Sequence, residues 1–179
     1  MIFYFTGTGN SRWVAEALRK ALEEPLVSIV KVLTEEKSEY VYPLGEREKV
    51  IFVFPVHSWG PAVLVTRLIS RLRLEGYGGQ AVYFVCTCGD DCGYTDRIMR
   101  KTLQKRGIIL TNGFSVQMPN NYVLMPGFDV DSKEVETDKL RKASERIQEV
   151  IGSIRREENL PLYYAGGVPF LKSYLVYPL

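Results

Sequence analysis

Phe5-Thr6-Gly7-Thr8-Gly9-Asn10-Ser11 joins a short apolar run, Met1 to Phe5, to a segment in which Val14, Ala17, Leu18, Ala21 and Leu22 recur at helical spacing. The run is of the kind that makes a fully buried strand, and the recurrence gives a helix with one apolar face. The stretch between them is a strand-to-helix turn of glycines, hydroxyls and one amide, with no lysine or arginine before Arg12. Backbone N–H groups at a helix N-terminus, backed by the helix dipole, form a ready-made anion site. Such a turn holds a phosphate largely through neutral hydrogen bonds, without a paired cation.

Other phosphate loops fail on specific residues. A Walker loop needs G-x-x-x-x-G-K-[ST], and no lysine follows Gly9 at the required place. A dinucleotide fingerprint G-x-G-x-x-G starting at Gly7 meets Arg12 where its third glycine belongs. It also wants an acidic residue about twenty positions on to take the ribose, where the run Leu26 to Val30 supplies Ser28 and Lys31. The remaining alternative is a hydroxyl-rich turn that binds nothing.

Thr6-Gly7-Thr8-Gly9-Asn10-Ser11 resembles the T-x-T-G-N-[ST] phosphate loop of flavodoxins, which bind flavin mononucleotide (FMN), and Phe5 to Glu16 is similar to the flavodoxin half of bacterial fused flavodoxin–ferredoxin proteins. The resemblance implies that Thr6, Thr8, Asn10 and Ser11 contact the phosphate, while Gly7 and Gly9 let the backbone close around it.

Length and composition set the frame. A chain of 179 residues, 46% hydrophobic, can bury a proper core and reads as one domain. A formal net charge of +2 implies no polyanion partner, so nucleic acid is not expected. No stretch is apolar and long enough to span a bilayer, and Met1 opens directly into the first strand, so no signal peptide is expected. Cys86, Cys88 and Cys92 make no even-numbered disulfide framework, which suits a reducing cytoplasm. Their C-x-C-x-x-x-C spacing matches neither zinc nor iron–sulfur patterns, so free thiols and no metal are expected.

Apolar runs of strand length alternate with longer helical patterns, which argues for a parallel sheet with helices on both faces. Leu26 to Val30, Val50 to Pro55, Ala81 to Cys86 and Ile108 to Val116 follow the first strand, with an edge segment at Tyr40 to Tyr42. A helix is expected to begin at Pro61 in the favoured N1 position, with Val65, Leu68, Ile69 and Leu72 as its apolar face. Another spans Thr95 to Arg106, closed by Gly107. Asp131 and Glu134 resemble a capping pair opening a long helix with Leu140, Ala143, Ile147, Ile151 and Ile154 on one side. The fold class is α/β: a flavodoxin-like doubly wound five-stranded parallel sheet of order 2-1-3-4-5. In such sheets a ligand sits beyond the C-terminal strand ends, at the switch point between the first and third strands.

Two further loops belong at that point. After the third strand comes Pro55-Val56-His57-Ser58-Trp59-Gly60, and after the fourth Thr87-Cys88-Gly89-Asp90, running on to Tyr94. Gly89, Asp90, Gly93, Tyr94 and Asp96 resemble the flavodoxin G-D-x-x-G-Y-x-D pattern. By that resemblance Tyr94 stacks on one face of the flavin ring, the Gly89-Asp90 backbone bonds its pyrimidine edge, and Trp59 covers the other face or its edge. Independently of the family, two aromatics on separate loops can sandwich a flat ring, worth about 0.5–1.5 kcal/mol per stacked pair beyond burial. His57, the single histidine, is either a partner for flavin N5 or O4 or a solvated loop residue. The resemblance further implies that a backbone carbonyl within Ser58 to Gly60 turns to accept the N5 proton, with Gly60 tolerating the altered dihedrals. Met118-Pro119-Asn120-Asn121-Tyr122 resembles a segment bordering the flavin in the fused proteins, so Asn120, Asn121 and Tyr122 are expected behind the cofactor or facing a partner.

Asp90, Asp91, Asp96, Asp129 and Asp131 fall on loops at the expected rim, which argues for a lowered flavin potential, about 59 mV for each ~1.4 kcal/mol. Residues 1–158 are expected to form the FMN-binding domain. Residues 159–179 form an apolar, aromatic tail in which Pro161, Pro169, Pro178 and Gly166-Gly167 forbid a continuous helix. The resulting expectation is an electron-transfer flavoprotein that binds FMN, passes single electrons between redox proteins such as a ferredoxin or a reductase, and has no catalytic residue of its own. The alternatives are an FMN-dependent NAD(P)H oxidoreductase acting on flavin or quinone, and a non-redox interaction module of the same fold.

Overall fold

The computed structural model describes residues 1–121 and 129–177. In chain order its first elements are β1 (Ile2–Tyr4), α1 (Asn10–Leu22), β2 (Leu26–Ser28), α2 (Ile29–Leu33), β3 (Tyr40–Pro43), β4 (Val50–His57) and β5 (Gly60–Pro61). Then come α3 (Val63–Arg71), β6 (Leu72–Glu75), β7 (Val82–Cys88), α4 (Thr95–Gln104), β8 (Asn112–Gln117) and α5 (Lys133–Arg156). A helical turn at Pro169–Leu171 runs into a π-helical stretch at Lys172–Val176.

Five strands pair in the order β2-β1-β4-β7-β8, all parallel, which is the expected 2-1-3-4-5. Side chains alternate between two buried faces. Phe3, Phe52, Phe54 and Phe84 pack with Val65, Leu68 and Ile69 of α3 and with Met99 and Leu103 of α4. On the other face Ile51, Val53, Tyr83, Val85 and Phe114 pack with Val14, Ala15 and Leu18 of α1 and with Ala143, Ile147 and Ile151 of α5. Burial on both faces is why these strands read as unbroken apolar runs and not as alternating ones.

Five expectations change. The second strand stops at Ser28, whose Oγ accepts from the Lys31 N–H at 3.5 Å and caps the short α2, so Ile29 and Val30 are helical. Tyr40–Pro43 does not edge the main sheet: it pairs in parallel with Leu72–Glu75 in a separate two-stranded sheet, which takes Leu72 out of the helix face. Pro61 is not N1, because it pairs with Val56 in a tight antiparallel hairpin and α3 starts at Val63. The fifth strand begins only at Asn112, with Ile108 and Leu110 packed into the core ahead of it. The cap of α5 is Ser132, whose Oγ accepts from the Val135 N–H at 3.4 Å, and Leu140 is exposed.

Beyond α5 the chain lies beside β8. The Ser115 N–H donates to the Leu162 carbonyl (2.9 Å), the Tyr164 N–H to Ser115 Oγ (2.9 Å), and the Asn112 side chain to the Leu160 carbonyl (3.0 Å). Leu162 is packed against the α1/α5 core.

Gly113 in β8 lies opposite Phe84 of β7, and a β-carbon there would run into the Phe84 ring. Gly113→Ala is therefore expected to lower unfolding free energy by about 1–3 kcal/mol, as overpacking of a buried site does; an unchanged urea midpoint would contradict this.

Candidate functional site

The C-terminal ends of β1, β4 and β7 bring the three expected loops to one place. Thr6 to Ser11 follows β1; Pro55, Val56 and His57 end β4; and Thr87 and Cys88 end β7. Pro55 and Thr87 are register partners, and the Phe5 N–H donates to the Val53 carbonyl at 2.9 Å. Ser11 and Thr87, both buried, share a hydroxyl–hydroxyl bond of 2.8 Å that ties the first turn of α1 to the end of β7.

In the first loop Gly7, Thr8 and Gly9 are exposed, and Gly9 caps α1 at φ 110° with no side chain closing the helix end among the described residues. The Gly9 N–H donates to Thr6 Oγ1 at 3.1 Å. Asn10 Nδ2 donates to the Pro119 carbonyl at 3.2 Å, and Asn121 Nδ2 donates to Thr8 Oγ1. Asn10 and Ser11 thus brace the turn from below, leaving an uncapped helix N-terminus and an exposed backbone arc above it. This donor set, with Arg12 exposed as the nearest basic residue in sequence, suits a small anion held by main-chain N–H groups.

The second loop is a hairpin turn. His57 pairs with Gly60 across it, and the two central residues both have positive φ, Ser58 at 48° and Trp59 at 62°. A type I′ turn demands that sign at both positions and normally recruits asparagine or glycine. A tryptophan there is backbone strain held in place by its surroundings. The left-handed geometry falls on Ser58 and Trp59 and not on Gly60, which is buried and needed for a different reason: a β-carbon there would run into the Tyr177 ring. His57 stands edge-on to Phe5, ring centres 6.0 Å apart; it is solvent-exposed at the turn, while desolvation by its neighbours pushes its imidazole pKa below the ordinary value.

The third loop turns at Gly93, φ 55°, and delivers Tyr94 to the start of α4. The Arg97 guanidinium lies 3.7 Å from the centre of the Tyr94 ring, a cation–π contact. Cys86, Cys88 and Cys92 are buried free thiols behind this loop, with Cys86 and Cys92 sulfurs 3.6 Å apart. Burial pushes the Cys86 thiol up, and hydrogen bonding within the cluster, followed by burial, raises Cys88 and Cys92.

Asn120 and Asn121 stand behind the first and third loops. Asn121 reaches Thr8, and the Asn120 amide oxygen fills the space where Gly89 would carry a side chain. The Asn120 N–H donates to Asp131 at 2.8 Å, and Lys139 of α5 pairs with Asp131 at 2.8 Å and Asp90 at 3.5 Å. Burial works to raise the Asp131 carboxyl, but the bonds from Lys139 and Asn120 outweigh it and hold the carboxyl below the usual range. Tyr122 lies outside the described residues.

The C-terminal segment also reaches the site. Tyr163 donates to the Gly93 carbonyl (2.8 Å) and accepts from the Asp96 N–H (3.3 Å). Lys172 pairs with Asp91 at 2.5 Å and stands 5.2 Å from the centre of the Trp59 ring. Ser173 Oγ donates to the Trp59 carbonyl (2.8 Å) and accepts from the Tyr94 N–H (2.7 Å), and Tyr177 donates to the Pro61 carbonyl (2.8 Å). None of Lys139, Tyr163, Lys172, Ser173 and Tyr177 is singled out by the sequence as a site residue, because none sits in a motif or a periodic pattern tied to the strand ends.

No protein-family model matches this chain, and no curated protein matches its sequence. Solved structures do share its fold. A flavodoxin of Fusobacterium nucleatum bound to flavin mononucleotide superposes with a TM-score of 0.52 at 12% identity, over 88% of this chain and 97% of that one. The azoreductase AzrA gives 0.53 at 10% identity, covering 87% and 98%. The Trp repressor binding protein of Bacillus subtilis gives 0.51 at 11%, covering 89% and 98%. At these identities the likeness is one of architecture.

Two measurements check the site's electrostatics. The single ring Cε1 proton signal of His57 is expected to titrate below about 6.5; a midpoint at or above that value contradicts the desolvation argument. The unfolded chain then takes up this proton first as pH falls, so the stability His57 contributes is full above about pH 6.5 and declines below it. His57→Gln should flatten that part of the urea-midpoint profile. The three thiols should resist an aromatic disulfide reagent in the native protein and all react once unfolded; rapid native labelling contradicts their burial.

Proposed function

We propose that the chain binds one FMN non-covalently and carries single electrons between redox proteins. The observation that carries this reading is the convergence of the uncapped α1 N-terminus with two aromatic-bearing loops at the β1/β4 switch point. The exposed backbone of Thr6 to Gly9 and the first turn of α1 would hold the phosphate, braced by Asn10, Ser11 and Thr87. The turn Pro55 to Gly60 and the loop Thr87 to Asp90, with Tyr94, would frame the ring. The bound flavin supplies one-electron chemistry; the chain's own part is to orient it, limit water around it and set its electrostatics. His57, whose imidazole pKa desolvation lowers, would offer a hydrogen bond beside the ring.

The rim bears on the potential. Of the five expected carboxylates, Asp90 and Asp131 pair with Lys139 and Asp91 with Lys172, Asp129 stays exposed, and Asp96 lies in the first turn of α4 and not on a loop. The lowering of the potential argued from these carboxylates would therefore be a smaller effect. On this reading residues 1–158 form the FMN-binding domain and 159–179 a separate apolar, aromatic tail. The resemblance to the flavodoxin half of fused flavodoxin–ferredoxin proteins makes an iron–sulfur protein or a reductase the partner class, in a cytoplasmic setting that suits three free thiols.

The purified protein should be yellow, or become so on adding FMN at micromolar concentration, and a colourless protein that rejects FMN overturns the proposal. Anaerobic dithionite titration should yield a stable one-electron-reduced form with no direct reduction by NADPH. Rapid NADPH oxidation would instead favour the enzymatic reading, an FMN-dependent NAD(P)H oxidoreductase acting on flavin or quinone. Gly9→Ala, which places a side chain at φ 110°, should weaken FMN about tenfold while leaving riboflavin unchanged, since only FMN uses the first loop.

A further inference from the structure

The Ser58-Trp59 turn is strained at both central residues, and its own hydrogen bonds do not explain why the strain persists. Non-glycine residues in left-handed conformations are strained and survive only where surrounding structure over-determines them. What over-determines this turn arrives from the far end of the chain. Ser173 is 1% exposed, and its one hydroxyl joins the two ring loops through a single atom. Its proton goes to the Trp59 carbonyl and its lone pair receives the Tyr94 N–H. With one atom spanning both bonds, the Trp59 and Tyr94 backbones cannot shift apart without leaving a buried donor or acceptor unpaired.

The seat for this segment is carved by missing side chains. A β-carbon on Gly93 would collide with Ser173 Oγ and with Trp59, one on Gly60 with Tyr177, and one on Gly166 with Asp91. Lys172 adds an ion pair to Asp91 and Tyr177 a bond to Pro61, on either side of the Ser173 contact. These are the contacts of a strap laid across two loops at a fixed height.

We infer that Ser173 is a positioning residue of the candidate ring site, setting the relative placement of Trp59 and Tyr94, while its neighbours in the strap only seat it. The inference rests on the flavin reading for its purpose but not for its geometry. Ser173 touches no cofactor; it acts through the two aromatics that would. Tyr177→Phe is the control, since it removes a strap hydrogen bond to Pro61 without touching the Trp59–Tyr94 bridge.

The test uses the full chain in a Trp13→Phe background, so that Trp59 is the only tryptophan. In the ligand-free protein, Ser173→Ala should red-shift Trp59 emission and at least double its acrylamide quenching constant, whereas Tyr177→Phe should leave both near wild type. FMN affinity should fall about tenfold in Ser173→Ala and less than about twofold in Tyr177→Phe. Unchanged Trp59 quenching in folded Ser173→Ala overturns the inference, as does an equal response to Tyr177→Phe, which would make the bridge ordinary packing. If Ser173→Ala does not fold, hydrogen exchange in the wild-type chain decides: the Tyr94 amide should be protected at least about 100-fold, and free exchange overturns the bridge. Failure of the wild-type chain to bind FMN sinks the proposed function, while the Trp59 and exchange measurements still judge the strap.

Discussion

Every feature of the candidate site depends on β1 having a parallel neighbour on each side. With β2 on one flank and β4 on the other, the chain leaves β1 through α1 in one direction and returns to the sheet on the opposite side. Connections that diverge from one strand end leave a crevice there, and parallel strands deliver all their turns to the same rim. Apolar burial on both faces makes that arrangement rigid, so a loop can carry glycine, hydroxyl groups and even a strained tryptophan without drifting. The crevice is a by-product of topology, and the residues lining it are free to specialise.

Polar contacts, not apolar ones, then adjust the rim. The Ser11–Thr87 hydroxyl pair fixes the angle at which α1 meets the sheet. Asn120 locks behind Gly89 and passes its orientation through Asp131 to Lys139, so a helix far along the chain braces a loop from the middle of it. Partly buried bonds of this kind are costly to break, because one lost partner strands the other. They confer order on loops whose backbone alone would not be ordered.

How far the sequence discloses this can be read from particular residues. Val50 to Pro55 and Ala81 to Cys86 are legible because strands buried on both faces need continuous apolar side chains. Leu72-Arg73-Leu74-Glu75 is not, because its alternation begins where the helical spacing of α3 ends, and Leu72 satisfies both patterns. Pro61 suggests a helix start only while the preceding turn is unknown; a hairpin at Ser58-Trp59 claims it first. Ser132 displaces Asp131 as the cap because Asp131 is engaged by Asn120 and Lys139, contacts between residues with no local relationship. Ser173 is the extreme case. Its partners are 114 and 79 positions away, and nothing in Leu-Lys-Ser-Tyr announces them.

The chain beside β8 has one more consequence. A parallel sheet ends in two strands with open hydrogen-bonding sides, and such sides invite the strand of another molecule. On the β2 flank the opening is three residues long. On the β8 flank the Ser115 amide and hydroxyl are already taken by residues 162 and 164. The segment that reaches the loops thus passes first along the side open to intermolecular pairing, and the same stretch that shapes one rim of the molecule occupies part of that open side.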